Sequence, residues 1–284
     1  MLRLFLGLLI ACAVGGAVPA SAQDVPRSIE KIKGDLYRFQ NRFHYSVFYV
    51  TPEGVIVTDP INAEAASWLK AEIKKRFNLP IRYLIYSHDH RDHIAGGEVF
   101  AKDGAVVVAH RRAKDKIIGE KRPTAVPQIT FGRKLDLELG GKTVELRYLG
   151  PNHSDNSIVM RFPEEKVLFA VDFIPVNTVA FRTLADAHLK GWIRSLKRVE
   201  SMDFDILAPG HGKLGAKRHV TLFRNYMTDL HDQVLAAARE GKNLEETKGS
   251  IDLSKYKDMA QFDNWGPMNV EGAYRWVQMF RRGN

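Results

Sequence analysis

Ser87-His88-Asp89-His90-Arg91-Asp92-His93-Ile94-Ala95-Gly96-Gly97 decides how this chain is read. The stretch follows Ile81 to Tyr86, a mostly apolar run with the look of a short strand, started just after Pro80. Three histidines and Asp92 then fall between positions 88 and 93. A single histidine at a strand end is usually a polar loop residue. Three at this spacing fit that reading badly, because buried together they would compete for hydrogen-bond partners and repel one another once protonated. Imidazole and carboxylate are the usual ligands of hydrolytic zinc, so the segment predicts metal binding.

Outward from this segment, three more ligand-type residues share its context. His153 lies in Leu149-Gly150-Pro151-Asn152-His153-Ser154, Asp172 follows Val167-Leu168-Phe169-Ala170-Val171, and His211 lies in Ala208-Pro209-Gly210-His211-Gly212. Each comes after an apolar strand, in or beside a loop of Gly or Pro. Alone each is weak; strand ends along one sheet edge can converge on one site.

The rest of the chain supplies the scaffold. Alternation predicts short strands over Ile29 to Phe39, broken at Gly34-Asp35, then His44 to Val50 and Val55 to Thr58, the last closing at Asp59. Ala66, Leu69, Ile73 and Phe77 recur on one face of a helix over Ala63 to Phe77. Strands follow at Ala105–Ala109, Lys134–Leu139, Thr143–Leu149, Ser157–Phe162, Val167–Val171 and Ile206–Ala208. Helices are expected near 97–101, from about Arg111, at His188–Glu200, at Lys217–Arg239 and, last, from Pro267 to Phe280, with Asp172 to Ala187 a long loop. Strands in groups, with helices between and after them, predict paired sheets covered by helices. No Pro-, Gly- or Ser-rich linker divides residues 23–240, and 241–284 reads as a helical extension packed on the same domain.

His88-Asp89-His90-Arg91-Asp92-His93 resembles the H-x-H-x-D-H signature of the metallo-β-lactamase superfamily, and His153, Asp172 and His211 match its remaining ligand positions in order. Asp59 matches the superfamily's early Asp motif. The resemblance runs from about Ile29 to His211 and implies an α+β fold, a four-layered αββα sandwich with metals at one edge of the sheets. It implies two Zn2+ per chain: His88, His90 and His153 on the first, Asp92, His93 and His211 on the second, Asp172 bridging. Asp59 would orient ligands rather than bind metal. A metal-bound hydroxide would attack a carbonyl carbon, with Asp92 orienting water or shuttling a proton.

The N-terminus reads as a secretory signal peptide over residues 1–22: Arg3, an apolar run from Leu4 to Val18, and Ala20-Ser21-Ala22 before Gln23. The run is shorter than the roughly 20 residues of a membrane span. Lipidation at Cys12 is the alternative. Cys12 is the sole cysteine, so a chain cleaved after Ala22 has neither disulfide nor catalytic thiol. The net charge is +9, carried by scattered Lys and Arg with no nucleic-acid motif. A periplasmic or secreted address and a small-molecule substrate are therefore expected, with no nucleic acid and no stable membrane span. Oligomeric state is left open.

Substrate is less legible. Where a well-known β-lactamase subclass has a cysteine, this chain has Asp172, and that subclass's carboxylate-binding lysine is Pro175 here. Arg182 in the same loop is the candidate replacement. Asp172 and the Asp92-His93 pair look more like the superfamily's thioesterases and lactonases. Phe173 and His44 are further candidates for touching substrate, and Asn41 to Tyr45 is either a wall over the metals or an ordinary hairpin. The expectation is an exported dinuclear zinc hydrolase of a β-lactam, lactone, ester or thioester. A mononuclear iron oxygenase of sulfur compounds and a non-catalytic periplasmic metal-binding protein are the alternatives. His44, His110, His188, His219 and His231 match no ligand position.

Overall fold

The computed structural model describes residues 25–280, so the expected signal segment and Cys12 lie outside the described residues. The first sheet holds β1 (Arg27–Lys33), β2 (Leu36–Asn41), β3 (His44–Thr51), β4 (Gly54–Thr58), β5 (Ile81–Ile85), β6 (Val106–His110) and β7 (Ile129–Phe131), side by side in that order. Strands β1 to β4 pair antiparallel and β4 to β7 pair parallel. The second sheet holds β8 (Lys134–Leu139), β9 (Lys142–Arg147), β10 (Val159–Phe162), β11 (Val167–Phe169) and β12 (Ile206–Ala208), in spatial order β12-β11-β10-β9-β8.

Parallel neighbours need crossovers, and helices fill them. Helix α1 (Ala63–Phe77) links β4 to β5; α2 (Arg91–Ile94) and α3 (Glu98–Ala101) link β5 to β6; α4 (Arg111–Gly119) precedes β7; α5 (Leu189–Glu200) links β11 to β12. Helices α6 (Lys217–Arg239), α7 (Leu244–Ser250) and α8 (Phe262–Phe280) follow. The ends of α1 show why it spans these residues. Asn62 accepts the Ala65 N–H at 2.9 Å, and Asn78 terminates the helix in the left-handed region at φ 53°, just ahead of Pro80.

Period-two alternation sorts the core into layers. Val47 and Tyr49 of β3, Ile56 of β4, Ile85 of β5 and Val108 of β6 face the second sheet, where Val144, Leu146, Met160 and Phe169 meet them. Phe48, Val55, Val57, Leu84 and Val107 face the other way, onto Ala66, Leu69 and Ile73 of α1. On the far side Leu168 and Leu207 pack under Trp192 and Leu196 of α5, Phe223 and Met227 of α6, and Val270 and Ala273 of α8. The result is the αββα sandwich.

Two elements differ from the sequence reading. Strand β7 is only three residues long, between Pro127 and Gly132, too short to show alternation. Helix α8 starts at Phe262 and carries Pro267 inside it. The Trp265 N–H already bonds the Gln261 carbonyl at 2.7 Å, so the helix is under way before the proline, which forgoes one N–H near its start.

Topology also chooses the site. The ends of β4, β5, β11 and β12 and the starts of β3 and β10 lie at one edge of the sandwich, because β4–β5 and β11–β12 are parallel while β3 and β10 run against their neighbours.

Candidate metal centre

At that edge Asp59 ends β5 as well as β4. Its Oδ1 accepts the Ser87 N–H at 2.8 Å, and its own N–H bonds the Ile85 carbonyl. His88 then lies buried. Asp89 serves as an anchor: its N–H donates to Asn156 Oδ1, its Oδ1 accepts from Asn156 Nδ2 at 2.7 Å, and its Oδ2 accepts from Arg122 at 3.0 Å. The flanking His88 and His90 rings lie 4.4 Å apart. Asp92 and His93 sit on α2, whose first turn closes on the His90 carbonyl. The Ile61 N–H holds the His93 carbonyl at 2.7 Å with its backbone at φ 71°. A β-branched residue there costs on the order of 1–2 kcal/mol, a strain typical of functional sites.

The second sheet brings the other half. Ile158 donates its N–H to the Ser87 carbonyl, tying the His153 loop to the end of β5. Inside that loop, buried Asn152 bonds the Gly150 and Ser157 carbonyls and accepts the His153 N–H. Asp172 leaves β11 and His211 leaves β12. The buried Arg38 guanidinium reaches the carbonyls of Pro209 at 3.0 Å and Gly212 at 2.7 Å while lying over the Tyr45 ring, and burial draws its pKa down to about 10. Between those carbonyls sits Gly210, where a Cβ would stand 2.6 Å from Val171 and 3.1 Å from His93, so no larger residue fits without movement. The Tyr45 N–H bonds the Gly210 carbonyl, and His211 Nδ1 donates to the Phe43 carbonyl at 3.0 Å. The latter bond leaves His211 Nε2 as the free ring atom.

Two groups of donor atoms result, each with its members within 4.8 Å of one another: His88, His90, His153 and Asp172 in one, and His44, Asp92, His93 and His211 in the other. Asp172 lies between them. Its Oδ2 is 3.2 Å from His93 Nε2, 3.6 Å from His153 Nε2 and 3.9 Å from His88 Nε2, while its Oδ1 is 3.3 Å from His211 Nε2.

This donor set fits metal ions. His88 Nε2 and Asp172 Oδ1 are buried with no hydrogen-bond partner among the described residues. Burial holds the His88 imidazole well below its ordinary pKa, and cationic His90 and His93 add to the effect. Burial opposes protonation of His93 too, but the Asp172 carboxylate overrides it and lifts that pKa to about 9. The proton on His93 is one that a bound metal would release. Asp59 belongs to neither group. Its Oδ2 faces His93 Nδ1 at 3.9 Å, the place of a residue that orients a ligand.

His44 lies inside the cluster, with its Nε2 3.2 Å from Asp92 Oδ2. Phe173, expected to touch substrate, is 1% exposed in the core, where its carbonyl takes the Trp192 indole N–H. Arg182 is exposed, with its guanidinium over the Phe181 ring and its carbonyl held by Asn269. The sequence reading missed Asp186, whose Oδ2 lies 2.8 Å from His90 Nε2. An acidic residue on the loop leading into α5 was the only cue. His110, His219 and His231 lie outside both donor groups.

A family model described as the metallo-beta-lactamase superfamily matches residues 40–211, a span holding Asp59 and every residue of both donor groups. The alpha subunit of 2,4-dinitroanisole O-demethylase from Nocardioides sp. (strain JS1661) is 24% identical over 254 residues, covering 88% of this chain and 74% of that one. A type 2 metallo-beta-lactamase of Elizabethkingia meningoseptica is 28% identical over 204 residues, covering 68% and 81%. Among solved structures, the metallo-beta-lactamase from Pontibacter korlensis superposes with a TM-score of 0.65 at 21% identity, over 72% of this chain and 99% of that one, a likeness of fold.

Proposed function

The chain belongs to the metallo-β-lactamase superfamily, and on that premise we propose that it is an exported hydrolase with two zinc ions, cleaving a β-lactam, a lactone, or an ester or thioester. The observation that carries the reading is the Asp172 carboxylate, set between two clusters of imidazole and carboxylate donors. His88, His90 and His153 would hold one ion, Asp92, His93 and His211 the other, and Asp172 both. Zinc supplies Lewis acidity and lowers the pKa of coordinated water to about 7.

The chain's own residues do the rest. The Asp92 side chain is 54% exposed, at the rim where a carboxylate can accept and return a proton. Asp59 Oδ2, buried and facing His93 Nδ1 at 3.9 Å, would orient that ring. Residues 25–280 contain no cysteine, so no thiol competes as nucleophile. Phe43, 66% exposed and 4.6 Å from the His44 ring, gives the rim an apolar wall suited to a ring or acyl chain. Arg182, exposed on the loop after Asp172, offers a cation to a substrate carboxylate.

The likeness to an O-demethylase subunit spans 88% of the chain, so an activated methyl aryl ether belongs among the electrophiles. The test is turnover by purified protein of a chromogenic cephalosporin, an acyl-homoserine lactone, a glutathione thioester and dinitroanisole, with and without chelator, alongside metal analysis. About two zincs per chain with chelator-sensitive turnover supports the reading. One iron per chain and no hydrolysis overturns it in favour of the oxygenase. Export is tested separately: a chain recovered from the periplasm with Gln23 at its N-terminus supports it, and retention of residues 1–22 in the cytoplasm refutes it.

A further inference from the structure

His44 stands first in β3, at the end of a hairpin whose turn is only Arg42 and Phe43, with Asn41 paired to His44 across it. Arg42 holds φ 57°, a strained conformation for a non-glycine residue. The hairpin is fixed to the loop that carries His211 by two bonds: the Tyr45 N–H to the Gly210 carbonyl at 2.8 Å, and His211 Nδ1 to the Phe43 carbonyl at 3.0 Å. The residues on either side of His44 are thus tied to the loop that carries His211.

The His44 side chain is only 13% exposed. Its ring lies edge-on to His211 at 4.7 Å and to His93 at 5.5 Å, and its Nε2 is 3.2 Å from Asp92 Oδ2. One donor atom from each of His44, Asp92, His93 and His211 falls within 4.8 Å of the others. A residue that touched substrate alone would face the opening. This one faces three residues already assigned to an ion.

We infer that His44 is a fourth protein ligand of the second metal, completing a set of three imidazoles and one carboxylate before the shared Asp172 is added. This rests on the two-metal reading above. A zinc held by four or more protein groups, rather than the three typical of a catalytic ion, is retained firmly. The second ion would accordingly be held about as tightly as the first, rather than lost on dilution.

The experiment titrates metal-free full chain with Zn2+ against a chromophoric chelator, then with Co2+ while its absorption spectrum is followed, for wild type, His44→Ala and His44→Gln. Thermal melting of each metal-free protein checks folding. Wild type is expected to take up two equivalents. His44→Ala should weaken one of them at least about tenfold, the loss typical even of a residue that merely supports a ligand, and leave the other unchanged. His44→Gln should behave like Ala, because its amide can still bond Asp92 but is a poor zinc ligand, and both variants should alter the Co2+ spectrum of the second equivalent. Should Ala fail to fold, Gln carries the test. Two equivalents of unchanged affinity in either variant overturn the inference alone, and restoration by Gln shows that His44 acts only through Asp92. A single equivalent in wild type overturns the two-metal reading and the inference with it.

Discussion

The two edges of the sandwich both bury carboxylates, and they treat them in opposite ways. At the edge away from the metal centre, in the turn between β10 and β11, Glu165 is 3% exposed; it accepts a bond from the Tyr49 hydroxyl and lies 3.4 Å from Lys142 Nζ. Burial and that carboxylate together push the Tyr49 pKa upward, so the phenol stays protonated and keeps donating. At the metal edge Asp172 Oδ1 and His88 Nε2 are buried with no hydrogen-bond partner among the described residues. One edge is complete with protein alone, and the other is complete only with cations. Stability and function are divided between opposite ends of the same strands.

The largest effect that would break this contrast is metal removal. Stripping two ions, each present at about a thousandfold over its dissociation constant, should cost roughly 4 kcal/mol of unfolding free energy per ion. Urea denaturation with and without chelator measures it, and equal midpoints would mean that the metal edge is already satisfied. Next comes Asp172→Ala. It should lower kcat/KM at least about 100-fold, the upper end of what a supporting residue costs, and reduce metal content. Retained activity and metal would show that Asp172 is not shared.

Tyr49→Phe sharpens the comparison from the other end. Glu165 loses its hydroxyl donor, so stability should fall by about 1–3 kcal/mol while metal content and turnover stay as in wild type. A variant that loses zinc instead would mean the edges are coupled. The smallest effect is at His110, buried at 3% exposure, where Nε2 donates to the Gly132 carbonyl and the ring stacks on Tyr148. Burial lowers its pKa below the ordinary 6.5. Its neutral form therefore contributes stability that is whole above about pH 6.5 and drains away as pH falls towards the folded-state pKa. Urea midpoints of metal-free wild type and His110→Gln at pH 8 and pH 5.5 should show the weaker acid loss in the variant; parallel losses would clear His110 of any part in it.

The clusters at the metal edge were legible because each residue pairs a ligand chemistry with a strand end. Asp172 and His211 follow apolar runs, but each was weak alone and was tied to the histidine segment by the family signature. Paired sheets covered by helices followed from grouped strands, and α1 from the spacing of Ala66, Leu69, Ile73 and Phe77. What could not be read locally is what comes from elsewhere in the chain. Arg38 clamps Pro209 from 171 positions away, Asp186 meets His90 across 96, and His44 reaches Asp92 across 48. No periodicity records such partners. Phe173 looked like a substrate contact because it follows Asp172, yet the chain turns there and sends the ring into the core. The start of α8 was misread because proline opens more helices than it interrupts.

The parallel pairing of β11 with β12 through α5 has a consequence for how the protein is made. A chain growing from its N-terminus carries His88, His90, His153 and Asp172 before it carries His211. The first donor group is thus fully synthesised while the second still lacks its last member, and the loop clamped by Arg38 cannot close until the ribosome has passed Gly212. The first donor group draws on residues 88 to 172 alone, while the second is complete only when chain from His44 to His211 is brought together.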